Sequence, residues 1–86
     1  MYPSITEVTP RDGHRLHLTF DSGEHGILDM KPFLDFGVFQ DLKDQTIFQQ
    51  VRISFDTIEW PGGIDLDPEF VYQHCELKVD QSAEAR

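Results

Sequence analysis

Basic residues, cysteine and long apolar runs are all scarce in this chain of 86 residues. Lys and Arg number 7 against 16 Asp and Glu, which gives a formal net charge of -9. Such a surface repels phosphate backbones, so the composition argues against direct nucleic-acid binding and favours a basic partner. The single cysteine, Cys75, has no second cysteine with which to form an internal disulfide. No apolar run approaches the roughly 20 residues that a membrane-spanning helix needs.

The length of the chain is enough for one hydrophobic core. Seven Phe, two Tyr and one Trp supply much of that core, because each aromatic ring can bury about 150–250 Å². We predict a single domain over residues 1–75 and a flexible polar tail over residues 76–86. The first ten residues lack the basic and apolar regions of a secretory signal peptide, so we expect a cytoplasmic location without membrane contact.

Alternating apolar and polar residues predict a β-hairpin in the first third of the chain. A three-residue loop sets Leu16 opposite Leu28, whereas a two-residue loop would set Leu16 opposite Asp29 and mix the two faces. We therefore predict the three-residue loop, with Gly23 in the left-handed region. The same register places Arg15 opposite Asp29 on the outer face, where we expect an ion pair.

The remaining patterns complete an α+β arrangement. A strand over residues 4–10 precedes the hairpin, short helical turns occupy residues 31–50, and a second hairpin occupies residues 51–60. A last helix begins after Asp67. This order predicts an antiparallel or mixed sheet of about five strands in two hairpin groups, with short helices packed on one face.

The segment after Trp60 combines turn residues with helix-start residues and carboxylates. Asp67 and Pro68 suit the N-cap and the first helical position. We assign a structural turn or cap role to Gly23, Trp60, Pro61, Gly63, Asp65, Asp67 and Pro68. In the alternative interpretation, the carboxylates around Asp65 bind a divalent metal or a small ligand, although their spacing does not match a twelve-residue calcium loop.

Residues suited to catalysis are present without a catalytic pattern. His17 and His25 are predicted to be diagonal neighbours on the outer face, but a zinc site needs a third ligand. His74 and Cys75 are adjacent in sequence, so their side chains diverge, which is unsuitable for a nucleophile and its base. We therefore expect no enzymatic activity and no cofactor.

The apolar residues of segment 33–42 lack a clean polar face. We predict a partner-binding surface that contains Phe33, Phe36 and Phe39, with burial in the core as the alternative. Phe55 alternates with Ile53 in the second predicted hairpin and is interpreted as a strand residue.

Three strings of residues resemble a known bacterial family. They are FDSGE at 20–24, GVFQDLKDQTIFQQV at 37–51 and IEWPGGIDLDPEFVY at 58–72. Together they resemble domain-of-unknown-function family 2442, and the likeness covers about residues 4–74. Gly62 stands where many relatives have Asn, which is also compatible with a turn.

The resemblance implies a fold like that of the N-terminal domain of a small Nitrosomonas regulator-like protein. It implies no established activity. Some relatives are fused to helix-turn-helix domains, for which this chain has no room, and many are encoded beside another small protein in toxin–antitoxin-like pairs. We therefore expect a non-enzymatic protein-interaction module, antitoxin-like in a two-gene unit, with a small basic protein as its partner. A homodimer is the open alternative.

Overall fold

The structure is a computed structural model that describes residues 2–79. Within these residues it contains seven strands, two α-helices and two 3₁₀ segments, the latter at Lys31–Phe33 and Gly37–Lys43. The strands and α-helices are β1 (Ile5–Arg11), β2 (Arg15–Phe20), β3 (Glu24–Asp29), α1 (Gln45–Phe48), β4 (Arg52–Ser54), β5 (Thr57–Trp60), β6 (Ile64–Asp65), α2 (Pro68–His74) and β7 (Glu76–Val79).

The first sheet has four antiparallel strands in the order β1-β2-β3-β7. Leu16 pairs with Leu28, so the register predicted from the three-residue loop is confirmed. Arg15 does lie opposite Asp29, but the predicted ion pair between them does not form. The Asp29 carboxylate instead accepts the backbone N–H of Lys31 at 3.0 Å, because the chain turns there into the first 3₁₀ segment.

The predicted tail, residues 76–86, overlaps β7 and therefore begins too early. Glu76–Val79 pairs with β3, and residues 80–86 lie outside the described part of the chain. Gly26 permits this pairing because a Cβ at that position would overlap the carbonyl oxygen of Glu76. The strand has only four residues, so their alternation is too short to predict a strand, and its formation depends on the distant partner β3.

The second sheet holds β4, β5 and β6 in that order, all antiparallel. The α+β class and the antiparallel pairing agree with the prediction, while the described strands form two sheets rather than one sheet of about five strands. The strands that the sequence did not predict are β6 and β7. A strand of two residues, such as β6, is too short for an alternation of apolar and polar side chains to be visible.

One hydrophobic core joins both sheets and the helical segments. Trp60 and Phe48 are its largest fully buried side chains, and the indole N–H of Trp60 donates to the Phe48 carbonyl oxygen at 2.9 Å. The buried residues are Ile5, Leu16, Leu18, Phe20, Leu28, Met30, Leu34, Leu42, Phe48, Ile58, Trp60, Ile64, Leu66, Val71 and Cys75. Among residues 2–79, no helix has the length and apolar composition needed to cross a membrane.

Candidate functional site

The residues after Trp60 shape the backbone between β5 and α2. Gly62 and Gly63 have φ of +93° and +82°, which residues with a Cβ adopt only with strain. Asp67 accepts the backbone N–H of Glu69 at 2.8 Å and so caps α2, whose first residue is Pro68. Pro61 is exposed at the turn. These contacts account for the turn and the helix start without a ligand.

The carboxylates around Asp65 are dispersed over separate interactions. Glu59 accepts from the Nε of Arg52 at 3.0 Å. This hydrogen bond, together with one from Ser54, holds the pKa of Glu59 below its ordinary value. Asp65 lies opposite Glu59 on the neighbouring strand and is exposed. In the part of the chain that the structure describes, no three His, Cys, Asp or Glu residues are arranged to hold a metal ion.

The histidines and the cysteine serve packing contacts. The rings of His17 and His25 meet edge to face, with centroids 5.6 Å apart. His74 stacks on Phe70 at 4.3 Å, and its Nδ1 lies 2.9 Å from the Phe70 carbonyl oxygen. Cys75 is 8% exposed, and burial raises the pKa of its thiol to about 11. A thiol with that pKa stays protonated at neutral pH and is a weak nucleophile.

The three phenylalanines predicted to bind a partner lie in different environments. Phe33 is half-buried and packs edge to face on Phe70, with ring centroids 5.0 Å apart. Phe39 is also half-buried against the core. Phe36 is 64% exposed, and Val38 beside it is 62% exposed. Segment 33–42 therefore presents Phe36 and Val38 to solvent and turns the other two rings inward.

Phe55 is the most exposed large apolar side chain among the described residues, at 97%. Its interpretation as a strand residue is wrong, because Ser54 pairs with Thr57 and so leaves Phe55 and Asp56 as a two-residue loop. Phe55 has φ of +55°, at a loop position where glycine dominates. The turn predicted at Asp56 could have revealed the position of Phe55, because a two-residue loop that contains Asp56 also contains the residue before it.

Other contacts fix the loop of Phe55 against the rest of the molecule. The backbone N–H of Ile5 donates to the carbonyl oxygen of Asp56 at 3.1 Å. The hydroxyl of Ser4 donates to the Asp56 carboxylate, also at 3.1 Å. The hairpin tip is therefore tied to the start of β1, and Phe55 is held outward by a supported backbone.

Each exposed phenylalanine has a carboxylate as its neighbour in the chain. Asp35 precedes Phe36 and is exposed, although it pairs with Lys43 at 2.7 Å. Asp56 follows Phe55 and is exposed as well. We refer to Phe36, Val38 and Phe55 as the exposed apolar set. Its two aromatic members combine an apolar ring with an adjacent negative charge.

Comparisons with known proteins identify a family without a described activity. Comparisons with curated proteins and with solved structures give no match. A family model, described as a protein of unknown function (DUF2442), matches residues 5–76. The match spans β1 to α2, including the turn after Trp60, and ends at the first residue of β7. The chain therefore belongs to the DUF2442 family.

Proposed function

We propose that this protein is a non-enzymatic interaction module that uses Phe55 to bind another protein. The supporting observation is that Phe55 is 97% exposed and has a φ of +55°. A bulky side chain in the left-handed region costs about 1–2 kcal/mol, and its exposure recovers none of that through packing. Strain of this kind concentrates at functional sites, so a role in binding accounts for a residue that folding does not need.

The proposed partner is a small basic protein. The chain carries a net charge of -9, and the carboxylates of Asp35 and Asp56 adjoin the two exposed rings. A partner with an apolar pocket rimmed by Lys or Arg fits both the ring of Phe55 and the adjacent carboxylate of Asp56. Charge complementarity of this kind mainly raises the association rate, and the effect falls as salt increases. More specifically, we propose that the protein has an antitoxin-like role and that its partner is encoded in the same two-gene unit.

The environments of Cys75 and His74 support a role without catalysis. The thiol of Cys75 is buried and protonated at neutral pH, and His74 is engaged with Phe70. The alternative function, binding of a divalent metal around Asp65, has no comparable support, because Glu59 pairs with Arg52 and Asp67 caps α2. We therefore propose protein binding and not metal binding.

Site-specific photo-crosslinking in the host cell tests the proposal. A photoreactive phenylalanine analogue replaces Phe55 in one variant and Phe36 in a second. A third variant carries the analogue at Gln73, an exposed position on α2, as the control. Because the analogue is itself aromatic, the variants at positions 55 and 36 keep an aromatic ring at the tested position. Adducts are identified by mass spectrometry.

We expect one prominent adduct at position 55, formed with a protein rich in Lys and Arg, and no such adduct at position 73. The yield should fall when the Asp56 charge is removed by Asp56→Asn. No adduct at position 55, or the same adducts at positions 55 and 73, would overturn the proposal. An adduct with a second copy of this chain would replace the basic partner by a homodimer.

A further inference from the structure

Three cationic side chains gather at the loop between β1 and β2, in a chain with 16 acidic and 7 basic residues. Arg11 and Arg15 lie directly opposite each other across the two strands. The Nη2 of Arg15 and the Nζ of Lys31 each lie 3.7 Å from the point that a Cβ on Gly13 would occupy. All three cationic residues are exposed. The loop therefore carries a local positive charge on an otherwise acidic protein.

The carboxylates nearest to this cluster form no ion pair with it. The ion pairs formed within the described residues involve other cations, Lys43 and Arg52. The Nε of Arg15 donates to the backbone carbonyl of Asp12 at 3.2 Å, so it does not contact that carboxylate. Asp29 faces Arg15 from β3 and lines an adjoining recess with Arg15 and Glu76, but neither carboxylate forms an ion pair with Arg15. The charged groups of the cluster are thus available to bind an anion.

The arrangement of Arg11 and Arg15 is unfavourable unless something negative joins them. Like charges directly opposite on one face of a sheet are destabilising. The two arginines also line a recess of about 230 Å³ together with Ile27. A guanidinium group presents its N–H donors in a planar fork that matches the oxygens of a carboxylate or a phosphate. An oxyanion in the recess would remove the repulsion and occupy both forks.

We propose that the recess between Arg11 and Arg15 binds an oxyanion, that is, a carboxylate or phosphate group, with Lys31 adding positive potential. Ile27 supplies one apolar wall, which excludes water from one side of the bound group. This site is separate from the exposed apolar set, so it does not depend on the proposed function. A failure of either proposal leaves the other unaffected.

Nuclear magnetic resonance titration of the full chain tests the site. The Nε–H resonances of the arginines are followed while inorganic phosphate or acetate is added, with sodium chloride adjusted to keep the ionic strength constant. Constant ionic strength separates binding from screening of the exposed charges. The double variant Arg11→Gln/Arg15→Gln removes the site. Arg52→Gln is the matched control, because Arg52 is an exposed arginine already paired with Glu59.

We expect saturable shifts of the Arg11 and Arg15 Nε–H resonances in wild type and in Arg52→Gln, and no saturable shift of the remaining arginine Nε–H resonances in the double variant. At an anion concentration five times the dissociation constant, Tm should rise by about 4–8 °C in wild type and in Arg52→Gln, and should not rise in the double variant. Saturation by phosphate alone identifies a phosphoryl group as the ligand, and saturation by acetate identifies a carboxylate. Shifts no larger than those produced by chloride, or an equal rise of Tm in the double variant, would overturn the site.

Discussion

Replacement of Phe55 by Asn should make the protein more stable, although it removes a large apolar side chain. The ring is 97% exposed, so its loss removes almost no packing. The backbone at φ of +55° strains a phenylalanine by about 1–2 kcal/mol, whereas Asn tolerates this region with less strain. We therefore expect the free energy of unfolding to rise by about 0.5–1 kcal/mol. This corresponds to a rise in Tm of about 2–8 °C for a domain of this size.

Phe36→Asn is the matched control for that substitution. Phe36 is also exposed, but its φ of -107° and ψ of 124° are ordinary extended values. Its replacement relieves no strain, so the free energy of unfolding should stay unchanged or fall slightly. Thermal unfolding followed by circular dichroism, with urea unfolding to obtain the free energy, measures both variants. A Phe55→Asn protein less stable than wild type, or a gain as large in Phe36→Asn, would refute the assignment of strain to Phe55.

Three further perturbations test separate parts of the fold. Gly26→Ala would place a Cβ against the Glu76 carbonyl, so we expect the free energy of unfolding in urea to fall by about 1–3 kcal/mol and the β7 amides to exchange hydrogen faster. Exchange at the wild-type rate would contradict the close approach of the two backbones. Asp67→Ala should lower the free energy of unfolding by about 1 kcal/mol, because it removes the side chain that accepts the Glu69 N–H. Asp67→Asn should keep most of the wild-type stability, and an equal loss in the two variants would argue against capping. For Cys75, the pKa is 9.0 in the unfolded chain and about 11 in the folded protein, so stability is unaffected below pH 9 and falls as pH rises toward 11. Solvent screening limits this fall to roughly 1–2 kcal/mol. Cys75→Ala should make that fall shallower, and an unchanged pH profile would show that the thiol is not its source.

The hairpin of β2 and β3 could be predicted because local sequence determines it. The alternation of apolar residues and the loop at Gly23 leave one register that keeps Leu16 and Leu28 on the buried face. The Asp67 cap and the α2 start are similarly local, since they depend on two adjacent residues. In these cases each short segment already contains the residues that decide its structure.

The missed features depend on contacts between distant residues. β7 forms because Gly26, some fifty residues earlier, leaves room for its backbone. Phe33 turns inward because Phe70 of α2 packs on it, a contact that the spacing in segment 33–42 does not reveal. The exposed position of Phe55 depends on the pairing of β4 with β5, which leaves this residue in the loop between the two strands. The periodicity of the sequence predicts which side chains share one face of a strand or helix, but contacts with distant segments determine which of those faces are buried.

The affinity of the Phe55→Asn protein for the partner captured at position 55 is the most direct test of the proposed role of this side chain. Isothermal titration calorimetry of wild type and variant gives the two dissociation constants. We expect binding to weaken at least tenfold in Phe55→Asn, in the range of an aromatic interface hot spot, even as Tm rises. Equal affinity in the two proteins would contradict the claim that the strained, exposed ring of Phe55 serves binding.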